Sequence, residues 1–203
     1  MTIVYRSTKG SNLTPSEVDG NFADLAARTD LAWAMVSVEP SVRSGSPNAP
    51  ELEPWHGGIS ASAYYPDQTM ECFATFDVPY DWVAGTGFRF GIHFTVGNTT
   101  LTGNVRLSRE FTVASPGGVF PTPTVGGGSS VAIDGTPYKM YQLFSPSAYP
   151  GTGLSPNTAI VNRFFRDGEN ALDTFEEKIY ILGIDFYYQR NKFGQPNYQA
   201  PYI

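Results

Sequence analysis

At 203 residues the chain has room for one medium-sized domain and a short accessory segment, not for two full domains. Charged residues make up only 16% and aromatics 14%, with 21 glycines and 16 prolines, a balance that favours strands and turns over helices. A formal net charge of -6, with thirteen scattered basic residues, argues against general nucleic-acid affinity, because phosphate contacts need a surplus of Lys and Arg.

The first readable element is a helix start. Thr14 precedes Pro15, Ser16 and Glu17, so its hydroxyl can accept the Glu17 N–H while the Glu17 carboxylate reaches back to the Thr14 N–H. Pro15 then occupies the first helical position, where a missing N–H costs nothing. Beyond the cap, Val18, Phe22, Leu25, Thr29, Ala32 and Val36 recur in steps of four and three, which predicts one helical stripe. The seam is too short for a free-standing zipper. It suits either a bundle of identical helices, three in number, or docking onto a partner, with Trp33 and Met35 off the stripe.

The stretch around this cap reads Tyr-Arg-Ser-x-Lys-Gly from Tyr5, then Leu-Thr, then Glu-Val-Asp-x-Asn-Phe ending at Phe22. It resembles the opening of tailed-bacteriophage virion proteins, whose tail fibres and related appendages use such a segment to attach to the particle. The resemblance implies attachment through Tyr5, Arg6, Lys9, Leu13, Glu17, Val18, Asp19, Asn21 and Phe22. It also implies partners among tail, collar or capsid proteins, and a virion as the location.

Residues 1–39 therefore read as attachment segment and helix, and residues 40–54, rich in Pro and Ser, as a stiff linker. Residues 55–203 read as the main domain. From Ile59 the period changes to two: Met70 to Val78, Phe88 to Val96, Leu101 to Val113, Tyr138 to Phe144, Ala159 to Arg166 and Lys178 to Gln189 all alternate. Gly97, Asn98 and Thr99 mark a tight hairpin. Ala114 to Pro137, with the glycine triplet 126 to 128, reads as a long exposed loop with a short strand at Val131 to Ile133.

About seven or eight strands without an intervening helix predict a mainly β chain: an antiparallel, jelly-roll-like β-sandwich behind a short N-terminal α-helix. The segments Asp77 to Thr86 and Gly183 to Arg190 resemble parts of jelly-roll phage appendage and capsid-decoration proteins. The tail from Gly194 is extended, with Tyr198 and Tyr202 as anchors on a neighbouring subunit.

No catalytic constellation emerges. His56 and His93 lack metal-ligand spacing, the lone Cys72 sits in an apolar run as a buried side chain, and no phosphate loop appears. No metal or cofactor is expected, nor is a membrane span, since no apolar run approaches ~20 residues. Asp77 with Asp81, and Glu176 with Glu177, read as turn and surface acids rather than a glycosidase pair.

Trp55, Trp82 and Tyr149, set among Gly and Pro, are candidate glycan contacts, with packing as the alternative. The expectation is a non-enzymatic, homotrimeric fibre-like or decoration protein. The alternative is a module that recognises host surface glycans.

Overall fold

The computed structural model describes residues 10–27, 32–145 and 148–190. Tyr5, Arg6, Lys9, Thr29, Tyr198 and Tyr202 lie outside the described residues. Helix α1 spans Pro15–Ala27. Its cap is the expected reciprocal box: Thr14 N–H donates to Glu17 Oε2 at 2.7 Å, and Glu17 N–H to Thr14 Oγ1 at 3.3 Å.

Ten strands follow among the described residues: β1 Ala32–Val38, β2 Glu51–His56, β3 Ile59–Tyr64, β4 Thr69–Asp77, β5 Arg89–Val96, β6 Thr102–Ala114, β7 Thr124–Asp134, β8 Met140–Phe144, β9 Ala159–Asp167 and β10 Ile179–Arg190. One sheet runs β2-β3-β10-β5-β8, with β1 also pairing β10, and the other runs β4-β9-β6-β7. Every pairing is antiparallel: β3 with β10, β4 with β9, β5 with β8 and β6 with β7. These four pairs are the rungs of one long hairpin, folded over so that β10 also meets β5 and β9 also meets β6. The result is a jelly-roll sandwich.

The strand periods explain the core. Phe88, Phe90, Ile92, Phe94 and Val96 point inward from the β5 region, facing Cys72, Ala74 and Phe76 of β4 and Ile160 and Phe164 of β9. Phe186 of β10 stacks on Phe76 at 4.9 Å and Phe88 at 4.8 Å between ring centroids. Inside one end, fully buried Arg166 makes a charge-assisted pair with Asp173 (2.8 and 3.0 Å) and also donates to the carbonyls of Tyr64, Phe175 and Glu177. That many partners make the burial of an ion pair tolerable.

Four expectations need correction. The helical seam stops at α1: Ala32 and Val36 belong to β1, which pairs with β10 from Ala32↔Arg190 to Val38↔Ile184. Ala34 and Val38 pack toward the core while Trp33 and Met35 face out, an alternation that fits a strand, and β-branched Val36 and Val38 favour the same choice. The edge of β10 left open by β3 supplies the partner.

The stretch 40–54 is no spacer. Ser41 exchanges backbone hydrogen bonds with Phe73 (2.9 and 2.8 Å), Glu71 N–H donates to Asn48 O at 2.8 Å, and Glu51 begins β2. Proline-rich chain here covers the edge of β4 without presenting a new pairing edge.

Gly97 to Thr99 does not close a hairpin, because β5 and β6 lie in different sheets. The glycine triplet is in strand β7 rather than in a loop. Its small residues lie against Arg106, Ser108 and Arg109, and Cβ atoms at Gly126 and Gly128 would stand 2.6 and 2.3 Å from Arg109 Nε and Ser108 Oγ.

Candidate functional site: the outer face of the six-stranded sheet

Pairing registers set the outward side chains of this sheet in rows. Ser37, Asp185, Gly91 and Phe144 form one row; Met35, Tyr187 and Arg89 form the next; His93 and Gln142 lie on the other side of the first. Four strands far apart in sequence thus build one surface. Trp33, Arg89, Phe144 and Tyr187 line a hollow of about 410 Å³ on it. Trp33 is 51% exposed, Met35 55% and Phe144 47%.

Beneath the hollow is a polar network centred on Asp185. Its Oδ1 accepts from Ser37 Oγ at 2.6 Å, and its Oδ2 accepts from Tyr187 OH at 2.9 Å and from His93 Nε2. A carboxylate only accepts, so His93 carries its proton on Nε2. The Gln142 amide then serves the Tyr187 hydroxyl at 2.9 Å. Burial pushes the Asp185 carboxyl up, but the Ser37 and Tyr187 donors and the His93 imidazole outweigh it and hold the group below the usual carboxylate range. Gly91 leaves room for Tyr187, since a Cβ there would stand 3.0 Å from its ring.

Ser37 donates to the carboxylate and not to the imidazole, so Ser, His and Asp here do not form a nucleophile, base and orienter in series. The network instead holds Tyr187 rigid beside Trp33 and Phe144. Such a face is suited to stacking on a flat ring, with the Arg89 guanidinium beside it as a donor fork.

None of the residues expected to meet glycans lines this hollow. Trp82 is 1% exposed, stacks on Phe88 at 5.2 Å and donates to Thr86 O at 3.2 Å, so it belongs to the core and no sugar reaches it. Tyr149 packs edge-on against Phe111 at 4.7 Å. Trp55 lies on β2, not in a loop, and donates to Val96 O at 3.2 Å. Its ring is grouped with His56, Tyr138 and Tyr180 beside a smaller hollow of about 230 Å³ that also touches Glu177 and Lys178.

No protein-family model matches the chain, and no curated protein matches it significantly. Three solved structures are among those distantly similar to it. The CBM22-1-GH10 modules of Clostridium thermocellum xylanase 10B, complexed with xylohexaose, match 83% of this chain and 27% of theirs at 9% identity and a TM-score of 0.37. An infectious bursal disease virus structure (Gt strain) matches 78% of this chain and 32% of its own at 13% identity, with a TM-score of 0.36. A non-crystalline cellulose specific carbohydrate-binding module, CBM28, matches 75% and 86% at 11% identity and a TM-score of 0.31. The chain spans about a third or less of the length of the first two. All three likenesses are distant, at 13% identity or less.

The alternation from Phe88 to Val96 puts His93 in the outward phase of its strand, but nothing in it points to Asp185, 92 residues away. Trp33 and Met35 were visible only as residues off a helical stripe. The available signal was the alternation of Trp33, Met35 and Ser37 with Ala34, Val36 and Val38. Among the described residues, no group of three or more His, Cys, Asp or Glu gathers as a metal site, and no helix is long and apolar enough to cross a membrane.

Proposed function

We propose that this chain is a non-enzymatic structural component of a tailed-phage virion, attached through its N-terminal segment to tail, collar or capsid and assembled as a homotrimer. The observation that carries the reading is the exposure of the apolar side chain Phe22 on the capped helix α1. The helix is capped, none of its described side chains from Pro15 to Phe22 belongs to the buried core, and its seam residue Phe22 is 66% exposed. An apolar side chain presented on an ordered helix gains most when another surface covers it. The resemblance of Tyr5 to Phe22 to phage attachment segments supplies the identity of that surface, and Val18 with Phe22 supplies the contact between copies.

Removal of residues 1–27 tests the attachment. The shortened chain is expected to stay folded but to be missing from assembled particles, whereas its incorporation at the normal level would refute the role. Light scattering of the full chain checks the trimer, and a stable monomer at micromolar concentration would exclude it.

A second reading, recognition of a host surface glycan, is favoured by the hollow between Trp33, Phe144, Tyr187 and Arg89. Trp33→Ala and Phe144→Ala are each expected to weaken binding of the full chain to purified host polysaccharide by roughly two- to tenfold, since an aromatic stacking contact contributes about 0.5–1.5 kcal/mol. Thermal unfolding should hardly change, because both side chains are half exposed.

A further inference from the structure

Arg109 occupies a position that the strand period reserves for apolar side chains. It follows Val105 and Leu107 on the inward face of β6, and it is only 6% exposed. Its guanidinium lies over the ring of Phe90 at 4.4 Å and that of Phe111 at 5.2 Å. Its Nη1 is buried without a hydrogen-bond partner, and no carboxylate of the described residues pairs with it. Nearby Tyr149 has its phenol pushed up by burial, against the pull of Arg109, and is therefore neutral at pH 7. Burial pushes Arg109 itself down to about 10, which still leaves it charged. An unpaired cation inside a sandwich is costly, and cation–π contacts with two rings offset only part of that cost.

The surrounding backbone is shaped around this group. The β6–β7 register shifts between Ser108↔Gly128 and Glu110↔Val125, so that Arg109 alone stands opposite Gly126 and Gly127. This is a β-bulge, with Gly127 at φ 79, in the left-handed region that glycine tolerates. A Cβ at Gly126 would stand 2.6 Å from Arg109 Nε and 3.0 Å from its Nη2, so glycine is required where the guanidinium lies. The adjoining cavity, of about 20 Å³, lies between edge strands β7 and β8 and is lined by Gly126, Gly127, Ser129, Leu143 and Ser145. Ser145 Oγ accepts the Phe90 N–H at 3.3 Å, which leaves its own proton to donate.

We propose that this cavity is a binding site for one small monovalent anion, held by Arg109 with Ser145 and entered between β7 and β8. The space accommodates a single water-sized body, which suits a halide or one end of a carboxylate. Both supply the negative charge that the guanidinium lacks, and neither needs the rest of the ligand to fit inside. The site is independent of the outer-face hollow and of the N-terminal helix.

The test uses the full chain at pH 7 and low ionic strength, with thermal unfolding followed as sodium bromide, acetate or gluconate is added. A rise that grows with the logarithm of anion concentration above the dissociation constant is expected, about 2–4 °C for this size of chain at about five times that constant. Arg109→Met should abolish this binding-linked rise and leave only the general salt response. A response confined to bromide and acetate defines a site closed to larger ligands, while an equal response to gluconate shows that the carboxylate of a sugar acid reaches it. Bromide anomalous diffraction on the unaltered protein should place a peak within hydrogen-bond distance of Arg109 Nη1, so the test survives if Arg109→Met fails to fold. No peak there, together with equal salt responses in the variant and the parent, or with no anion-dependent rise in the parent where the variant does not fold, overturns the proposal.

Discussion

Asp185 shows how one residue can tie a surface together. Its carboxylate accepts from Ser37, Tyr187 and His93, which come from three strands. Because its folded pKa lies below its unfolded one, its stabilising contribution is present above about pH 4 and is lost as pH falls through the depressed folded value. Asp185→Asn should therefore flatten the acid limb of a stability profile. It should also destabilise the protein at pH 7 by about 1–3 kcal/mol in urea unfolding, the range for leaving buried donors poorly matched. An unchanged acid limb would show that the carboxylate is not held as described. Little of this was legible in the sequence: a polar Asp in the outward phase of a strand is unremarkable until register places it beside His93. Arg109 was legible in a different way, since an Arg in the apolar phase of an alternating run is a local inconsistency visible without coordinates.

Among the elements, β1 departs most from expectation. Steps of four and three and steps of two share many residues over a short window, so Ala32 and Val36 fitted both a helical seam and a strand face. Only the open edge of β10 decides between them, and that edge is created by distant pairing. The capping box was readable because all of its partners lie within four residues. Truncation separates the two readings of the N-terminal region. Deleting residues 1–27 should leave urea stability nearly unchanged, because none of the described side chains of α1 belongs to the buried core. Deleting residues 1–39 removes β1, exposes the edge of β10 from Ile184 to Arg190, and should lower stability measurably and promote aggregation. Equal stability of the two truncations would contradict the role of β1 in the sheet.

At the scale of the molecule, the sandwich class followed from strand count and composition, whereas the order of strands did not. The turn at Gly97 to Thr99 looks the same whether the next strand pairs with the last or crosses to the other sheet. The core that results is rich in aromatics, and Tyr64, Tyr141 and Tyr188 are among its buried members. Burial raises all three phenols, Tyr188 to about 12, with Asp81 adding to the effect there. A raised folded pKa means stability that is complete below the unfolded value of about 10 and is lost as pH rises through the folded values. Unfolding in alkali is therefore expected to be cooperative, with tyrosinate absorbance at 295 nm appearing together with loss of the sheet signal. Tyrosinate that appears well before unfolding would show that these rings are accessible to hydroxide. The same rolled hairpin brings residues 32 and 190 side by side, because Ala32 is paired with Arg190. Tension on the chain ahead of Ala32 is thus delivered straight into β10, which is flanked by β1 and β3 on one side and β5 on the other. A pull along the strand axis loads the β1–β10 hydrogen bonds in shear, so the joint must yield as a unit instead of peeling bond by bond.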